Sequence, residues 1–151
     1  MVLSLRESWD ASNKITLELL EKIPEHYLNV KPSYGGRSVG SQFCHINNVR
    51  VQWLLAIGTT TQGGLIKLQK DDQTYKTKIS EALKISSDRF GSLIETSIRT
   101  DMKVKGYPNG INSFLVYLVS HEAHHRGQII ASLKSANLPL EKDFLFRMWD
   151  F

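Results

Sequence analysis

The sequence predicts an all-α protein, an antiparallel four-helix bundle, and three observations predict it. Four long segments carry apolar residues at three- and four-residue steps. Three gaps rich in proline and glycine separate them: Pro24 to Gly36, Gly58 to Gly64, and Gly106 to Gly110. No run alternates with the two-residue period of a strand over a length that would build a sheet. At 151 residues the chain is long enough for one domain with a substantial core, so residues 1–151 are read as a single unit.

In the first segment the stripe is Leu5, Trp9, Thr16, Leu19, Leu20 and Ile23. The second carries Val39, Gln42, Ile46, Val49, Trp53 and Ala56, with Ser38 placed to cap it. The third runs from about Asp72 to Arg99 through Tyr75, Ile79, Leu83, Phe90, Leu93 and Ile94; Ser86, Ser87 and Gly91 predict a kink or break in its middle. The fourth spans about Ile111 to Ser135 and reads Ile111, Phe114, Leu118, His121, His125, Ile129, Leu133. Asn137, a residue that tolerates the left-handed conformation, and then Pro139 mark its end. The tail LEKDFLFRMWDF is aromatic and is expected to pack on the helices.

Composition excludes several classes. Apolar residues make up 41% and charged residues 23%, which is neither disordered nor collagenous. The net charge is +4, yet the lysines of the 67–84 region are interspersed with Asp71, Asp72 and Glu81, so no nucleic-acid face is expected. No apolar stretch reaches the roughly 18 residues of a membrane span. The start MVLSLRESWD lacks a secretory pattern, and the one cysteine, Cys44, cannot form an internal disulfide; a cytoplasmic protein is expected.

The chemistry concentrates in SHEAHHRGQII. At about 100° per residue, His121 and His125 point within about 40° of each other, on the stripe of Phe114 and Leu118. Two imidazoles one turn apart on an inward face can share a metal ion; buried without a partner, each costs about 1–3 kcal/mol. His45 in the second segment can supply a third ligand if the second and fourth helices are neighbours. His124 lies on the flank, His26 in an exposed loop, and Cys44 reads as a small core residue.

The string His121-Glu122-Ala123-His124-His125 also satisfies the H-E-x-x-H zinc-peptidase pattern, in which the glutamate is the general base. The following Arg126-Gly127-Gln128 does not continue that pattern, and no strand is expected to hold a peptide. Glu122 is therefore read as a helix-surface carboxylate near Arg126, four residues on. Gln128 is read as a holder of an imidazole N–H or as a core-edge amide. Gly127 is expected where another helix approaches, within the chain or across a dimer, with Arg126 serving that contact. Tyr117 and Trp53 read as core packing or as pocket walls.

SVGSQFCHINNVRVQWL together with HEAHHRGQI resembles the DinB/YfiT-like superfamily of four-helix-bundle metal proteins. IPEHYLNVKPSYGGRSVGSQ before the second helix and LKSANLPL after the fourth extend the likeness over almost the whole chain. Asn137 departs from it, standing where many relatives have glycine, and is expected to affect only the helix cap. The resemblance implies that His45, His121 and His125 hold one divalent metal, zinc or nickel first, with iron, manganese or copper as alternatives. It implies a homodimer and metal-dependent transfer or isomerisation chemistry with low-molecular-weight thiols; the open position left by three ligands adds activation of water, so a transferase or hydrolase acting on a small molecule is expected. A non-enzymatic metal-binding or dimeric interaction bundle is the alternative. The catalytic residues beyond the metal ligands are not readable from the sequence.

Overall fold

A computed structural model describes residues 2–58, 63–148 and 150; Trp149 and Phe151 of the aromatic tail lie outside the described residues. Four long helices dominate: α1 (Val2–Lys22), α2 (Val39–Ile57), α3 (Lys76–Thr100) and α4 (Ile111–Ser135). A short α5 (Lys142–Arg147) follows. Two 3-10 turns, Glu25–Asn29 and Lys70–Thr74, lie in the connections before α2 and α3. Among the described residues there is no strand, only an isolated bridge between Val104 and Tyr107. No described helix is long and apolar enough to cross a membrane.

The helix ends follow their local chemistry. The Ser38 hydroxyl accepts the Ser41 backbone N–H at 3.2 Å, the expected cap of α2. Asn137 takes φ 59° after α4. Its N–H reaches the Lys134 carbonyl, and the Leu138 N–H reaches that of Leu133 at 2.9 Å, the paired bonds of a Schellman end. In α3 no break interrupts the helix, which runs continuously from Lys76 to Thr100. Its small residues serve close packing. Ser86, Ser87 and Gly91 are buried, Trp9 of α1 donates its indole N–H to the Ser87 carbonyl at 3.0 Å, and Arg6 lies over Gly91.

α1 packs against α3 and α4, and α2 packs against the same two helices. Two apolar clusters fill the ends of this arrangement. One gathers Leu19, Phe43, Ile46, Leu83, Ile129 and Leu133; the other gathers Trp9, Leu54, Phe90, Ile94, Phe114 and Leu118. Read through the clusters, α1 and α4 run in one direction and α2 and α3 in the other. The neighbours α2 and α3 are therefore parallel, and the segment from Gly63 to Tyr75 carries the chain back along α2. Two asparagines of α2 hold that return segment: Asn47 donates to the Ile66 carbonyl, and Asn48 bonds both the N–H and the carbonyl of Leu68. Gly40 gives it room, because a Cβ there would collide with the Gln73 carbonyl oxygen. From α5, Phe144 and Leu145 pack on the first cluster.

A polar belt separates the two clusters. Arg50 of α2, fully buried, sends Nε and Nη2 to the two Glu122 oxygens of α4 at 2.6 and 2.7 Å. Its Nη1 donates to Asn13 and to the Leu83 carbonyl, and its guanidinium lies 4.8 Å from the Trp9 ring centroid. Arg126 adds a second buried cation, bonded to Thr16 at 2.9 Å and 3.8 Å from Glu122. Burial pushes the Arg126 pKa down, against the opposing pull of Glu122. The sequence reading of Glu122 as a surface carboxylate and of Arg126 as an outward contact is thus overturned. Both side chains are buried and joined to other helices of the same chain.

Candidate metal centre

His45 projects from α2 and His121 and His125 from α4, at the edge of the polar belt. The helices meet so that one ring nitrogen of each histidine lies within 4.8 Å of the other two. Ring centroids are 4.5 Å apart for His45 and His125, 4.5 Å for His121 and His125, and 5.3 Å for His45 and His121. The structure therefore brings together the three residues singled out in the sequence. His26 lies exposed in the first 3-10 turn, and His124 is exposed on the flank of α4, 5.2 Å from the His125 ring. Cys44 is buried, and burial pushes its thiol up to about 12.

The residues fit a divalent cation on three counts. First, His121 Nε2 and His125 Nε2 are 3.1 Å apart. Two nitrogens sharing one zinc at about 2.0–2.1 Å stand at about that separation. Second, the chain commits neither nitrogen of His121 to a group outside the cluster: Nε2 faces only His125 Nε2, and the buried Nδ1 has no hydrogen-bond partner, so the ring can turn either nitrogen to a cation. Third, the rings are neutral. Burial, followed by the positive charge of Arg37, lowers the His45 pKa to about 4; burial and the neighbouring histidines lower that of His125 to about 4; burial lowers His121 as well. Neutral imidazoles are the form that ligates metal.

Gln42, one turn before His45, orients the site. Its carbonyl oxygen lies 2.7 Å from His125 Nδ1, which must therefore carry the proton and leave Nε2 free as the donor atom. The Gln42 amide donates in turn to Gln128 Oε1 at 2.8 Å, and the Gln128 amide lies 2.8 Å from His124 Nε2. Gln128 thus acts one step removed from the ligand it was expected to hold. The residue in direct contact, Gln42, is legible in the sequence only as a polar member of an apolar stripe. Among the described residues no group of another helix lies within 4 Å of a Cβ built on Gly127, so none of them makes the close approach expected there.

Glu122 is no general base in this arrangement, since Arg50 occupies both of its oxygens. The H-E-x-x-H string thus departs from the peptidase arrangement at its glutamate, which is tied to an arginine. Two histidines on α4 and a third on α2 put this protein among helical domains whose facing helices could hold a cation between them. Residues 1–139 match the DinB family, and the chain belongs to it. No curated protein and no solved structure matches the chain.

Proposed function

We propose that this protein is a metal-dependent enzyme of the thiol transferase or hydrolase type, built on a four-helix bundle of the DinB kind. His45, His121 and His125 would hold one divalent cation, zinc or nickel in the first place and iron, manganese or copper otherwise. The observation that carries the reading is a cluster of three candidate ligands among the described residues, where a closed structural site has four. A cation bound there supplies Lewis acidity to a water or a low-molecular-weight thiol. The chain's own residues do the remaining work. Gln42 fixes the His125 tautomer, and burial keeps the histidines neutral. Cys44 is held protonated, so the reacting thiol comes from a substrate.

Two cavities open on His45 and give access: one of about 220 Å³ with Arg37, Ser41, Lys70 and Gln73, and one of about 270 Å³ with Val49, Gln52 and Leu55. The second reading, a metal-binding or dimerising bundle without catalysis, draws on the exposed apolar side chains Leu55, Val116 and Tyr117 of α2 and α4. A homodimer formed through that face is compatible with either.

The test is zinc titration followed by thermal unfolding, with elemental analysis of the same samples. A ligand specific for the folded state adds about 2.7 kcal/mol at a hundredfold excess over Kd. His45→Ala, His121→Ala and His125→Ala should each abolish that gain, and His26→Ala should leave it. A screen of thiols for zinc-dependent turnover then separates enzyme from binder. Zinc retained by a variant lacking all three histidines would refute the site.

A further inference from the structure

We propose that the cavity of about 220 Å³ beside His45 is a subsite for the carboxylate of a small anionic substrate, with Arg37 as its main contact and Lys70 as a second cation. The inference rests on the metal-site reading for its chemistry, but not for the binding of the anion itself.

Arg37 directly precedes the Ser38 cap of α2, so its backbone is anchored where the helix begins. Arg37 lines the cavity together with His45. Its positive charge also disfavours protonation of all three histidines, as a cation in their neighbourhood does. The other arginines near the core spend their charge on carboxylates: Arg6 on Asp10 and Glu95, Arg50 and Arg126 on Glu122. Arg37 and Lys70 have no such partner among the described residues, and both are exposed. The nearest acid on the return segment, Asp72, is already bonded to Lys78 at 2.6 Å and to the Gln69 N–H at 2.7 Å. Asp71 is exposed and does not line the cavity.

The remaining wall supplies neutral donors. The Gln73 side-chain oxygen accepts from Ser38, which leaves its amide N–H groups for a ligand, and Ser41 contributes a hydroxyl. Two uncompensated cations beside a cluster suited to a divalent ion make a strongly positive recess, and such a recess concentrates anions. A planar guanidinium selects among them, since its two parallel N–H groups match a carboxylate. The volume suits a short aliphatic acid arm that would leave the rest of the substrate facing the metal ligands.

The experiment uses the full chain, metal-free and zinc-loaded, with succinate as the probe, uncharged succinamide as its control, and inorganic phosphate as the rival anion. Binding is read by calorimetry and by the shift of the thermal midpoint. Succinate should bind the metal-free protein saturably, succinamide should not, and phosphate should bind more weakly. Arg37→Gln should weaken succinate about tenfold or more, Arg37→Lys less, and Lys70→Gln less again. The zinc content of Arg37→Gln should be unchanged. Equal succinate affinity in Arg37→Gln and the parent, or no saturable binding, overturns the subsite. Tighter binding of phosphate than of succinate overturns the carboxylate assignment. If zinc fails to bind the parent, the metal reading falls, while the metal-free succinate comparison still decides the subsite.

Discussion

Glu122→Gln removes one charge and almost no volume from the centre of the protein, and its cost can be worked from the contacts. In the parent, one carboxylate faces two buried cations, Arg50 at 2.6 and 2.7 Å and Arg126 at 3.8 Å. Arg50 is fully buried and Arg126 only 4% exposed, so neither guanidinium can turn to water. Removing one partner of a buried ion pair costs about 3–5 kcal/mol. The amide oxygen can still accept one N–H, which places the expected loss near the lower end, at about 3 kcal/mol. For a domain of this size, 1 kcal/mol moves Tm by about 2–4 °C, so Tm should fall by about 6–12 °C. Urea unfolding at pH 7, with Glu141→Gln as a comparison, measures it. Glu141 reaches Lys22 at 3.1 Å on the surface and should cost less than about 1 kcal/mol. Because the carboxylate is not among the ligand atoms, the folded Glu122→Gln protein should keep its zinc. A stability within about 0.5 kcal/mol of the parent, the range of an ordinary surface change, would refute the buried network.

Gln42→Ala removes the acceptor that fixes the His125 tautomer, and zinc affinity should fall about 10–100-fold, measured by competition with a chromogenic chelator. Unchanged affinity would mean that Gln42 does not set the ligand. Stability of the metal-free protein should decline as pH falls from about 6.5 toward 4. His45 and His125 have folded-state pKa values lowered to about 4, so in that window the unfolded chain takes up protons that the folded chain refuses. A flat profile between those pH values, followed by circular dichroism, would count against burial of neutral rings. Gly127→Ala should stabilise by up to about 1 kcal/mol, since its Cβ meets open space in a helix. Gly40→Ala should destabilise strongly, because its Cβ meets backbone; the reverse order in thermal melts would contradict the packing.

The histidine cluster was legible because its signal is local: two histidines four residues apart on an apolar stripe, and one more on another helix. The helix termini were legible for the same reason, since Ser38 and Asn137 act on their own backbone. The buried ion pair was not read, although it obeys the period. Leu118, Glu122, His125, Ile129 and Leu133 follow one another at steps of three and four, as do Phe43, Ile46, Arg50 and Leu54. The rule that charges lie outside outweighed the spacing, and it fails where opposite charges on facing helices neutralise each other. The parallel course of α2 and α3 was illegible because it depends on a return segment held by Asn47 and Asn48. Nothing in the periodicity of the helices announces a direction.

The run from His125 through Gln42 and Gln128 to His124 has a consequence beyond orienting a ring. Each amide in it offers an oxygen on one side and a nitrogen on the other, so every link must point the same way as its neighbour. Such a row behaves as a single bit: turning one amide alone would set donor against donor and acceptor against acceptor, and only a joint reversal is consistent. The exposed imidazole at its far end therefore carries, in which of its nitrogens bears the proton, a copy of the state of the buried one. Nitrogen resonances of His124, recorded at the surface, would read out the polarity of the buried His125 ring.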